Sequence, residues 1–203
     1  MKNLQITVSA VAITILLSLG LVVTSCSKND DPVVTPLPVV VAPLQDPLAG
    51  YLAASGFNQV TTSIINDSFS EIGYGFTPSV NGKITAIVVK IPDANAALRV
   101  TIWYKATGGI LRTETVNITA ANNEITKTIN SLDLIQNKEY VISMNSDDYY
   151  IHSKTDGSNA AYPFIVGDLK ITSYLIRDGN QQLIPNSSRV SGYIGDCSFK
   201  FQK

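Results

Sequence analysis

The chain has 203 residues, with 15 Lys and Arg against 16 Asp and Glu, two cysteines, one tryptophan and one histidine. A formal net charge of -1 without a clustered basic face excludes the electrostatic footprint of a nucleic-acid binder. Two cysteines exclude a disulfide-stapled scaffold, and a single histidine with no cysteine at zinc spacing excludes the usual zinc ligand sets.

Residues 1–25 open on Lys2 and continue as an apolar run interrupted by Ser9, Thr14, Ser18 and Gly20. A basic start, a short apolar stretch and small residues before a cut site are the pattern of a cleaved signal peptide rather than of a membrane-spanning helix. Val23-Thr24-Ser25-Cys26 follows, and it resembles the lipobox of bacterial lipoproteins. The resemblance implies cleavage after Ser25, palmitate-type diacylation of the Cys26 sulfur and acylation of its new amine. Two or three acyl chains hold a protein on a membrane where one is marginal. The alternative is a free thiol behind an ordinary signal or in an uncleaved anchor. Ser27-Lys28-Asn29-Asp30-Asp31 is similar to the tract that sends Bacteroidota lipoproteins to the outer face of the outer membrane. The competing reading is a solvated charge run on a protein of the periplasmic leaflet.

Loss of residues 1–25 removes Lys2 and no acid, so 14 basic residues remain against 16 acidic ones. Residues 26–48 carry the lipidated Cys26 and then Pro32, Pro36, Pro38, Pro43 and Pro47 among valines. Proline fixes φ and removes donors, so this linker reads as an extended tether, on the order of 65 Å if fully drawn out at about 3.1 Å per residue. Residues 49–203 are then long enough for one domain with its own core.

No window after Leu48 sustains a helical apolar period, whereas short β-branched and aromatic runs recur between turn signals. The expected strands are Val60 to Ile65, Glu71 to Thr77, Lys83 to Ile91, Leu98 to Lys105, Ile110 to Ile118, Glu124 to Ile129, Glu139 to Met144, Tyr149 to Ser153, Leu169 to Ile176 and Val190 to Gln202. Asn81-Gly82, Gly108-Gly109 and Asp178-Gly179-Asn180 supply residues that tolerate positive φ and so suit tight hairpins. The fold class is all-β: an antiparallel two-sheet sandwich of jelly-roll or immunoglobulin-like type, with a barrel as second choice. Cys197, Phe199 and Phe201 alternate with polar residues, which places the thiol on the apolar face of the last strand.

Within this pattern Ile72-Gly73-Tyr74-Gly75-Phe76-Thr77, Val80-Asn81-Gly82-Lys83-Ile84-Thr85-Ala86-Ile87, the Leu98 to Trp103 strand, Gly109-Ile110-Leu111 and Glu139-Tyr140-Val141-Ile142-Ser143 stand in a recognisable order. Together they resemble an uncharacterised bacterial β-sandwich family that often sits beside immunoglobulin-like or cadherin-like modules in exported proteins. The likeness runs from Ile72 to Ser153, with a shorter segment between Ile91 and Leu98 than in the family. It implies a fold and carries no activity.

For a site, the strand from Leu98 to Lys105 puts Leu98, Val100, Ile102 and Tyr104 on one face and Arg99, Thr101, Trp103 and Lys105 on the other. An accessible Trp103 would stack on a sugar ring or another apolar ligand face; otherwise lysine and arginine stems or a loop cover it. Tyr149 and Tyr150 after Asp147 and Asp148 make a second candidate, a glycan or calcium loop, against a polar turn leading into a strand. His152 has no nucleophile elbow to serve, and no acid among Asp147, Asp148, Asp156 and Asp168 stands out as half of a catalytic pair. The expectation is therefore a protein that is not an enzyme, without cofactor or bound metal: an anchored envelope lipoprotein whose domain binds carbohydrate or an envelope protein. The alternative is a structural or accessory subunit of an outer-membrane assembly.

Overall fold

The structure, a computed structural model, describes residues 42–203. The signal peptide, Cys26, the charged tract and most of the Pro-rich linker lie outside the described residues. Order begins before Ala49, because Gln45 and Phe201 exchange backbone hydrogen bonds of 2.9 and 2.8 Å. A helix, α1, then spans Pro47–Ser55 where the sequence shows no helical period. Local chemistry accounts for it: the Asp46 carboxylate accepts from the Ala49 N–H at 3.1 Å, Pro47 opens the first turn, and Gly56 ends it at φ 82°. Its buried residues are Pro47, Leu48 and Tyr51, too few to register as a period.

The strands are β1 Val60–Ile64, β2 Ser70–Pro78, β3 Gly82–Lys90, β4 Asn95–Tyr104, β5 Gly109–Ile118, β6 Ile125–Leu134 and β7 Tyr140–Ser146. They continue with β8 Tyr149–Ser153, β9 Phe164–Val166, β10 Leu169–Asp178, β11 Ser187–Arg189, β12 Tyr193–Ile194 and β13 Asp196–Gln202. All pairings are antiparallel. One large sheet runs β11-β10-β2-β7-β4-β5 with β9 added on β10, a second runs β13-β3-β6, and a small third runs β1-β8-β12. The all-β sandwich expected from the pattern is the observed architecture. Phe76 of β2 and Phe199 of β13 meet across the two main sheets at 4.6 Å between ring centroids. A fully buried ring of this size contributes, as an upper bound, roughly 4 kcal/mol of transfer free energy.

Three expectations about connections change. Gly108, at φ 68°, does close the β4–β5 hairpin. Asn81-Gly82 instead carries the chain from the large sheet into the second, since β2 and β3 belong to different sheets. The expected last strand is broken at Gly195, φ 85°, so that β12 pairs with β8 while β13 pairs with β3. The strand that was expected to end at Ile129 runs on to Leu134. Ile84 and Ala86 of β3 pair with Leu132 and Thr128, so β6 has two more residues than β3 between these pairs and bulges there. Cys197 is 1% exposed in the core, where burial, aided by nearby carboxylates, pushes its thiol pKa well up and leaves it inert.

Candidate functional site

The pleat places Trp103 opposite Ile102, as the alternation requires, but the expected accessible ring is corrected: Trp103 is 2% exposed. Its face of the large sheet is covered by the segment 179–186 between β10 and β11. Ile184 packs with Trp103, Val141 and Leu175, and the Gln182 amide donates to the hydroxyls of Thr101 at 3.0 Å and Thr113 at 2.7 Å. Beneath this strap the Trp103 indole N–H donates to Ser143 Oγ at 2.8 Å, and Ser143 donates to Glu71 Oε1 at 2.7 Å. Arg99 closes the network with a 3.0 Å bond to Glu71 Oε2 and another, of the same length, to the Asn180 carbonyl. Glu71 is a fully buried carboxylate, and these partners are what make its burial tolerable.

Tyr149 and Tyr150 are also buried, at 9% and 5% exposure. The Tyr149 hydroxyl donates to Asp67, and the Tyr150 hydroxyl donates to Asn122 while Lys90 stands 5.3 Å over its ring. Asp148 is committed too, accepting from the Asn66 N–H at 2.7 Å, and Asp147 lies in the short turn between β7 and β8. Trp103 and this tyrosine pair therefore border no common surface: one lies on the outer face of the large sheet, the other in the small sheet. Among the described residues, no three His, Cys, Asp or Glu side chains form a metal-holding group.

His152 has found partners that its sequence neighbours did not announce. Its Nε2 lies 2.5 Å from Asp196 Oδ1 and its Nδ1 3.2 Å from Thr61 Oγ1. A carboxylate only accepts, so Nε2 carries the proton of the contact with Asp196, and Nδ1 meets the threonine hydroxyl, which can donate or accept. The line of hydroxyl, imidazole and carboxylate ties β1, β8 and β13 together, and Thr61 sits on an exposed strand rather than in a cleft. Asp168 is likewise occupied, by Lys203 at 2.9 Å and Gln45 at 2.6 Å, which hold its carboxyl below the usual range.

A concave site that sequence reasoning missed lies at the rim where the two main sheets part. Tyr104 of β4, Leu111 of β5, Leu132 of β6 and Tyr140 of β7 line a cleft of about 350 Å³, with Ile135 at its lip and Asp133 and Lys138 beside it. The size falls in the range of small-ligand sites, and apolar walls with a few polar groups are their usual character. Tyr104 shares its face of β4 with the buried Leu98, Val100 and Ile102; at the last position of the strand that face opens onto the rim and the ring is half-buried. The Tyr104 and Tyr140 centroids are 5.9 Å apart, so the cleft has an aromatic floor. A signal was present in Ile110-Leu111 and Ile135, large apolar residues beside turns, which are 49%, 42% and 59% exposed.

No protein-family model matches the chain, and no curated protein does either.

Proposed function

We propose that the chain is a cell-envelope lipoprotein, anchored in the outer membrane through acyl groups on Cys26, whose β-sandwich serves as a binding or adhesion module at the cell surface. The observation that carries this reading is Val23-Thr24-Ser25-Cys26 after an export-type apolar run. Ser27-Lys28-Asn29-Asp30-Asp31 favours the outer face over the periplasmic leaflet, and the order of motifs from Ile72 to Ser153 favours kinship with the exported bacterial sandwich family. The rim cleft is the place where a carbohydrate or an envelope protein would be held. A structural or accessory role in an outer-membrane assembly is the second reading, favoured by the exposed Ile110, Leu111 and Ile135 around that rim.

Mass spectrometry of the native protein tests the anchor: an acylated Cys26 peptide is expected, and Cys26→Ala releases the protein from membranes. An intact Met1 terminus on the mature protein sinks the proposal. Protease shaving of whole cells tests the address, with the periplasmic leaflet winning if the domain is fully protected.

A further inference from the structure

The order of the large sheet leaves β5 as an edge strand with no partner on its outer side among the described residues. Unpaired edge amides and carbonyls are a template for another strand, and natural sheets blunt such edges with charges. Here the protection is confined to one half. Glu114 is bonded by Lys127 of the facing sheet at 2.7 Å and by Arg112 at 3.4 Å, and Lys127 also covers the Thr115 carbonyl at 2.9 Å. The first residues of the strand, Gly109 to Leu111, carry no charge, and Ile110 and Leu111 are apolar and exposed. The rim cleft opens beside it, because Leu111 belongs to both.

Two further groups say what would fit. Asp133 and Lys138 also line the cleft, both exposed, and neither takes part in an ion pair among the described residues. An open backbone edge asks for an extended segment, an apolar cleft beside it for one apolar side chain, and one acid and one base in the lining for charges of both signs near that side chain. We infer that the open half of β5 and the rim cleft together form a docking site for an extended peptide segment of a partner protein. The segment adds as a strand and inserts an apolar residue whose same-face neighbours are one acid and one base. Main-chain bonds then supply affinity and the cleft supplies selection. The inference rests on the reading of the domain as a binding module and names the partner class for it.

The test uses the detergent-solubilised full-length protein and three blocked synthetic nonapeptides of alternating valine and threonine around a central leucine. The positions two before and two after the leucine hold Glu and Lys, Lys and Glu, or two Gln, since residues two apart share a strand face. One charged order is expected to bind about tenfold more tightly than the other. Asp133→Lys combined with Lys138→Asp inverts that preference; both side chains are exposed, so the swap leaves the fold intact. Amides in the segment 109–111 gain hydrogen-exchange protection on binding. Equal binding of both orders, a preference that survives the charge swap, or no binding by any peptide overturns the inference. So does concentration-dependent protection of β5 in the protein alone, which makes a second copy the occupant. Because acylation of Cys26 is measured separately, failure here leaves the anchored-lipoprotein reading standing.

Discussion

Trp103→Ala separates a covered tryptophan from a binding platform by stability alone. The side chain is 2% exposed, packs with Val141, Leu175 and Ile184, and donates its indole N–H to Ser143 at 2.8 Å. Truncating a buried aromatic costs about 3 to 5 kcal/mol, and the lost hydrogen bond lies within that range because Ser143 keeps its bond to Glu71. For a domain of this size each kcal/mol moves Tm by about 2 to 4 °C, so a fall of about 6 to 20 °C is expected. Urea unfolding followed by far-UV circular dichroism is the suitable assay, since the variant loses the only tryptophan. In the wild type the same burial predicts blue-shifted emission that iodide quenches poorly. A loss below about 0.5 kcal/mol, the usual effect of a surface change, refutes the covered placement.

Burial, and then the hydrogen bond to Asp67, push the Tyr149 hydroxyl from 10.0 up to about 12. Native Tyr149 therefore holds its proton where the unfolded chain gives it up. Its stabilisation is full below pH 10 and is lost as the pH rises from 10 towards 12. Tyr149→Phe should make the alkaline decline of the urea midpoint shallower over that window, and an unchanged slope refutes the coupling. The same variant should raise the Asp67 carboxyl towards the ordinary range, because the Tyr149 hydrogen bond is the chief cause of its lowering; carboxyl NMR titration reads this directly. Asp46→Ala removes the cap of α1 together with bonds to Ser198 at 2.6 Å and Lys200 at 3.0 Å. A loss of about 1 to 2 kcal/mol is expected, with faster amide exchange across Pro47–Ser55. Unchanged protection of that helix contradicts its dependence on the cap.

Much of the fold is legible in the chain because its signals are short-range. A period of two, β-branched runs and glycine at turns act within a few residues, so most strands fall near their expected places and Cys197, Phe199 and Phe201 face the core. The pleat alone decides that Trp103 opposes Ile102. What covers Trp103 is another matter: Ile184 and Gln182 lie some eighty positions further along, and no local pattern reports which face a distant loop will cross. The same limit applied to His152, whose partners Thr61 and Asp196 come from β1 and β13. It applied again to β5, since strand order, not strand sequence, makes an edge. Composition and period specify which segments become strands and which way each side chain points, whereas burial, pairing and the rim cleft depend on contacts between residues far apart in the chain, which exist only once the sheets have packed.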